Sequence, residues 1–234
     1  MLPQPSDYDS SAMQIFAGAH CVHQRANEVR HYEIRPTRFA VKRKGLLMFV
    51  TKVSSPFDCG VARSLRCGER VLLSGVIYTA RDAAHLRLME LIAKGEGLPF
   101  PIVDSVIYYV GPTPAMPGQV IGSAGPTTSY RMDAFTPSLI GMGLRGMIGK
   151  GKRSPDVIGA MQRHGAVYFG AIGGAGALLA RCVLSCEVVA FGDLGAEAIR
   201  RLTVKDMPLT VIIDSDGSDL YSLGRKEYLA ATGR

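Results

Sequence analysis

The sequence predicts an α/β fold built on a single domain that follows an irregular N-terminal extension. Three observations predict it. Apolar runs of strand length alternate with helical patterns through the second half of the chain. Turn signals rich in glycine and proline separate them. The 27 glycines and the absence of tryptophan point to tight turns and close backbone approaches rather than to a helical bundle.

The elements follow in chain order. Residues 1–47 carry seven Lys/Arg, four acids and three histidines without sustained periodicity, and read as an irregular or disordered extension. Synthesis starting at Met48 is the companion expectation, and residues 48–234 form the domain. Val71–Thr79 is a buried strand, and Arg81–Ala93 a helix with Ala84, Leu88, Leu91 and Ile92 near one face. Val106–Val110 is a strand, then a turn with Pro112, Pro114 and Pro117, then a short strand at Val120–Ile121. Gly146–Gly149 ends another strand. Ser154 and Pro155 are an N-cap and a first helical residue, opening a helix that runs to His164. Ala166–Phe169 is a strand, Gly173–Cys182 a helix, Glu187–Ala190 a strand, Leu194–Leu202 a helix and Leu209–Asp214 a strand. A turn follows at Asp216-Gly217.

The composition narrows the function. With 47% hydrophobic and 20% charged residues, a packed core is expected. The net charge of +7 raises nucleic acid, but the basic residues are scattered and no aromatic-and-basic module is present, so no nucleic-acid partner is expected. The five cysteines (Cys21, Cys59, Cys67, Cys182, Cys186) include no CxxC pair, which argues against a metal or cluster site held by this chain. Glycine interrupts the longest apolar stretches before they reach membrane-spanning length, so a soluble, cytoplasmic protein is expected.

Three segments carry cations and hydroxyls where strands end. In Tyr78–His85 a strand turns into a helix, whose first N–H groups attract anions, and Arg81 adds a grip suited to a carboxylate. The alternative is that Asp82 caps the helix and Arg81 is solvated. Gly122–Asp133 packs glycine, proline and three consecutive hydroxyls (Thr127, Thr128, Ser129) ahead of Arg131, a loop able to aim N–H and O–H groups at one point. Gly146–Arg153 places Lys150 between glycines. It lacks the first glycine and the Ser/Thr of a phosphate loop, and a basic surface turn is the alternative. A fourth glycine run, Gly170–Gly176, lacks dinucleotide spacing and fits close helix–strand packing.

Together these motifs resemble the β subunit, or C-terminal domain, of class I (iron–sulfur) fumarate hydratases and L-tartrate dehydratases. The resemblance runs from about Met48 to Tyr228. It rests on Val71-Leu-Leu-Ser-Gly with Tyr78-Thr-Ala-Arg-Asp-Ala-Ala-His85, on Gly125-Pro-Thr-Thr-Ser-Tyr-Arg-Met-Asp133, on Ile148-Gly-Lys-Gly151, on the Gly170–Ala180 run and on Asp193-Leu-Gly-Ala-Glu-Ala-Ile199.

The resemblance implies a swivelling β/β/α domain and a partner α subunit that holds a [4Fe–4S] cluster, in an α2β2 assembly acting on a small dicarboxylate. It implies substrate-binding roles for Arg81, Thr127, Arg131 and Lys150, catalytic roles for the last three, and no metal ligand on this chain. The implied reaction is the reversible dehydration of malate to fumarate. Iron accepts the hydroxyl, while cations balance the charge that builds as the carbon-bound proton leaves. A free threonine hydroxyl is a poor base, so Thr127 needs activation or serves as a relay. Tartrate dehydration is the alternative within the family, and a non-catalytic dicarboxylate-binding or regulatory domain the alternative outside it. Val106–Val110 and the helix after Gly173 are candidate partner-facing segments, with core packing the competing explanation.

Overall fold

The computed structural model describes residues 36–43 and 46–232. Eight strands form one mixed sheet: β1 Thr37–Arg43, β2 Leu46–Ser55, β3 Arg70–Thr79, β4 Val106–Tyr108, β5 Gly146–Gly149, β6 Val167–Gly170, β7 Val183–Ala190 and β8 Ile199–Ile213. Among the described residues six helices accompany them: α1 Cys59–Ser64, α2 Asp82–Ala93, α3 Thr136–Gly141, α4 Pro155–His164, α5 Gly176–Ala180 and α6 Leu220–Thr232.

The sheet closes on itself. β2 to β6 run parallel in chain order. The long β8 pairs antiparallel with both β6 and β3, so β3, β4, β5, β6 and β8 complete a small barrel-like ring. β7 extends β8 outside the ring, and β1 extends β2.

Closure explains why the strands read as unbroken apolar runs rather than as alternating patterns: both faces are buried. In and just after β4, Val106, Tyr108 and Val110 enter one core, shared with Ala62 of α1 and Leu179 of α5. Ile107 and Tyr109 enter a second, shared with Leu88 of α2, Leu139 of α3 and Met161 of α4. Residues 106–110 are each at most 1% exposed, so Val106–Val110 is core and not a partner-facing strand.

Several expectations hold at the level of elements. β3, α2, β5, α4 and β6 lie where the pattern places them. Ser154 caps α4 by accepting from the Val157 N–H, and Gly165 closes the helix at φ 68°. Others are corrected. Val120–Ile121 forms no strand, since Pro112, Pro114 and Pro117 leave its neighbourhood without ladder donors; Thr113 and Ser123 pair locally instead. The Gly173–Cys182 helix shrinks to α5. The Leu194–Leu202 helix is absent: a 3₁₀ segment at Gly192–Glu197 is broken at Gly195 (φ 59°, ψ −113°), and the chain enters β8 at Ile199. Regular structure also starts ahead of Met48. Residues 37–43 read as irregular because of their charges, yet form the edge strand β1, where Arg38 pairs with Glu69; edge strands favour such charges. Residues 1–35 of the expected extension lie outside the described residues. No helix among the described residues is long and apolar enough to cross a membrane.

Candidate functional site

The four residues singled out from the sequence all follow the C-terminal ends of adjacent parallel strands, the end at which parallel α/β sheets, open or closed, place their ligands. Arg81 comes two residues after β3. Thr127 is tied to the residue after β4, its N–H donating to the Tyr109 carbonyl at 2.8 Å. Lys150 is the residue after β5, bridged in parallel to Thr128. Arg131 lies in a 3₁₀ turn, Ser129–Met132, anchored by the buried Ser129 and Met132.

Ser129 locks the loop and the lysine together. Its N–H donates to the Lys150 carbonyl at 2.9 Å, and the Lys150 N–H donates to the Ser129 hydroxyl at 3.2 Å. The same hydroxyl meets the Tyr168 phenol at 2.9 Å. Gly149 is what lets Ser129 in: a Cβ there would lie 1.9 Å from its Oγ. Lys150 itself is exposed.

Arg81 and Arg131 converge on one carboxylate. Asp82 Oδ2 is 3.5 Å from an Arg81 Nη and 3.9 Å from an Arg131 Nη. Asp82 does not cap α2; it sits in the first turn, and the N-cap position is Arg81. The helix N-terminus is instead served from a distant turn. Glu197, between β7 and β8, accepts the Ala83 N–H through Oε2 at 3.1 Å and pairs with Arg81 through Oε1 at 3.2 Å. A carboxylate of the protein itself thus takes the Ala83 N–H at the start of α2, where the sequence suggests that an anion can sit. Arg81 is also not a solvated arginine, with a side chain 21% exposed and a buried Nε.

Two further residues, missed in the sequence, hold this end in shape. Arg153, expected in a basic surface turn, is buried. Its Nε donates to Asp133 Oδ1 at 2.6 Å, its Nη2 to Thr136 Oγ1 at 2.9 Å, and its guanidinium stands 5.3 Å from the Tyr109 ring and 5.1 Å from that of Tyr168. Asp133 Oδ2 also accepts the Ser154 N–H at 2.6 Å, fixing the start of α4. His85, one turn into α2, is wholly buried beside Tyr109 and Phe135. Its Nδ1 lies 2.8 Å from the Arg81 carbonyl and its Nε2 has no partner. A neutral imidazole donating from Nδ1 satisfies this geometry.

Burial, and then the nearby Arg153, lower the pKa of His85 from 6.5 to about 4, against the opposing bond to Arg81. The folded chain therefore takes up this proton at lower pH than the unfolded chain does. The corresponding stability is fully present above about pH 6.5 and is lost as pH falls toward 4, by up to about 1.4 kcal/mol per pH unit. Urea unfolding at pH 7 and pH 5 should show this loss, and His85→Gln, although less stable throughout, should show a flatter dependence.

Among the described residues, no three of His, Cys, Asp and Glu are gathered to hold a metal ion. Cys59, Cys67, Cys182 and Cys186 are free thiols that no such group gathers, so the described residues do not fit an iron–sulfur cluster. Two surface clefts, of about 330 and 380 Å³, flank the 112–123 loop and are lined by none of Arg81, Thr127, Arg131 or Lys150.

The fold and site define a class: a small α/β ring domain presenting cations and a hydroxyl at the C-terminal ends of its parallel strands. Comparison with known proteins gives the family. Residues 57–224 match the model of the fumarase C-terminus, and the chain belongs to that family. It is 42% identical over 154 residues to the aerobic class I fumarate hydratase of Escherichia coli K12, covering 65% of this chain and 28% of that protein. It is 40% identical over 157 residues to fumarate hydratase 2 of Leishmania major, covering 66% and 28%. With a putative L(+)-tartrate dehydratase subunit beta of Methanocaldococcus jannaschii it shares 38% identity over 173 residues, covering 71% of this chain and 89% of that one. The chain thus matches only about a quarter of the length of the fumarate hydratases but nearly all of a subunit.

Proposed function

We propose that this chain is the β subunit of an iron–sulfur hydro-lyase that interconverts malate and fumarate, and that it supplies the cations that hold the dicarboxylate. The observation that carries this reading is the convergence of two guanidiniums, Arg81 and Arg131, on one carboxylate oxygen at the strand ends where Thr127 and Lys150 also lie. A substrate carboxylate is the same chemical group as Asp82, and two arginines with a lysine can grip it and offset charge that builds beside it.

In this reading Arg81 and Arg131 bind one end of the substrate, and Lys150 adds a mobile positive charge where negative charge develops. Thr127 offers its hydroxyl as a hydrogen-bond donor or proton relay. The partner α subunit holds the [4Fe–4S] cluster. The cationic end is covered by that partner in an α2β2 assembly in the cytoplasm. The ring with its helices acts there as the swivelling β/β/α domain.

The test is turnover of (S)-malate and fumarate against L-tartrate by the anaerobically assembled complex. A higher kcat/KM for malate and fumarate supports the fumarate hydratase reading. Preference for tartrate moves the chain to the tartrate dehydratase reading that its subunit-length relative supports. Activity with none of the three leaves the non-catalytic dicarboxylate-binding reading.

Gly111 supplies a selective perturbation. A Cβ there would stand 2.7 Å from Arg81 Nη1 and 3.3 Å from the Ala196 carbonyl, so a flexible guanidinium tip must move. Gly111→Ala should keep the fold and raise KM for malate by roughly 10-fold or more, because a displaced grip loses substrate alignment. Steady-state kinetics beside a thermal melt check it.

A further inference from the structure

We infer that Glu197 is the positioning residue that aims Arg81 at the substrate. The inference rests on the dicarboxylate-binding reading and deepens it, because nothing in that reading gives the β7–β8 turn a role.

An arginine that grips a carboxylate works only if its fork is already oriented, since a long, free side chain loses rotamer entropy on binding. Arg81 has the means to be oriented. Gly111 leaves room on its Nη1 side, and Glu197 Oε1 holds Nη2 at 3.2 Å. Glu197 is itself held, because its other oxygen takes the Ala83 N–H of α2, the helix that follows Arg81 directly. One carboxylate therefore fixes both the helix start that follows Arg81 and the tip of that arginine. Asp82 orients Arg81 less well, since it stands farther away, at 3.5 Å, and is shared with Arg131.

The turn that carries Glu197 is anchored on both sides. Before it, Asp193 forms a two-pronged ion pair with Arg87 of α2, and that guanidinium lies 5.3 Å from the Phe191 ring. After it, the buried Thr79 hydroxyl donates to the Ala198 carbonyl at 3.2 Å and accepts the Arg200 N–H at 3.0 Å, joining the start of β8 to the end of β3. Phe191 and Gly195 adopt positive φ angles, 54° and 59°, to make this excursion. The excursion delivers a single carboxylate to α2. That carboxylate pairs with an arginine whose Nε is buried with no partner of its own.

Two substitutions separate positioning from helix capping. Gln at 197 keeps an oxygen for the Ala83 N–H but loses the charge that holds Arg81; Ala loses both. In the assembled complex, Glu197→Gln should lower kcat/KM for malate roughly 10- to 100-fold, mostly through KM. It should weaken binding of succinate, which cannot be dehydrated, by a similar factor, while the melting temperature stays near that of the wild type. In the isolated full chain, the Arg81 Nε–H resonance should be sharp and slow to exchange with water in the wild type, and broad and fast-exchanging in Glu197→Gln. Unchanged KM, succinate affinity and Arg81 exchange in Glu197→Gln would overturn the inference and leave Glu197 as a helix cap. Tighter succinate binding would also overturn it, by showing that Glu197 competes with the substrate. If the wild-type complex neither turns over malate nor binds succinate, the functional reading fails, and the Arg81 resonance alone still decides whether Glu197 fixes that side chain.

Discussion

Replacing Arg153 with leucine is expected to lower the unfolding free energy by roughly 3–5 kcal/mol, the usual cost of removing one partner from a buried ion pair. The Arg153 side chain is 0% exposed and that of Asp133 12%, so Asp133 would be left without its counter-charge and without water in compensation. The loss would spread, because Asp133 also fixes the first turn of α4 through the Ser154 N–H, and Thr136 loses the donor at 2.9 Å. Tyr109 and Tyr168 would each lose the cation that stands over the ring. Urea unfolding at pH 7 measures the loss. The double variant Arg153→Leu with Asp133→Asn should recover part of it, since the orphaned charge is gone. A single-variant loss below about 1 kcal/mol would mean that the pair is solvated in solution.

Arg131→Ala should act in the opposite sense, with little effect on the fold and a large one on turnover. The Arg131 side chain is 48% exposed, and its one ion pair among the described residues, with Asp82 at 3.9 Å, is long and shared. Its turn is held by the buried Ser129 and Met132, not by the guanidinium. If Arg131 offsets charge in the transition state, kcat/KM for malate in the assembled complex should fall roughly 100-fold or more. The melting temperature should barely move. A rate within about threefold of wild type would favour a non-catalytic role for this surface, since that change is too small for a lost charged donor.

The sequence shows most of the ring and only part of the site. Val71–Thr79 and Val106–Val110 are legible because both faces of a closed sheet are buried, which leaves continuous apolar runs. Ser154-Pro155 is legible because capping is local. The start of β8 is not: Leu194, Ala198, Ile199 and Leu202 suit a helical face, and the strand exists only because β3 and β7 pair with it. Arg81, Thr127, Arg131 and Lys150 stand out through the family motifs that carry them. Arg153 does not, because a basic residue reads as solvated until its partner Asp133, 20 residues earlier, is seen to be buried beside it. Glu197 does not either, since the N–H it caps lies 114 residues away. Cation positions belong to motifs, whereas the carboxylates that orient them arrive through tertiary contacts that no local pattern records.

The central claim is that this chain holds a dicarboxylate and becomes catalytic only when a cluster-bearing partner covers its cationic end. The most direct measurement is anaerobic malate dehydration, followed as fumarate formation, by the purified chain alone and after addition of the α subunit. Turnover only in the mixture, abolished by omitting either component, is the predicted result. Turnover by this chain alone, or none in a mixture whose cluster is intact, would contradict the claim.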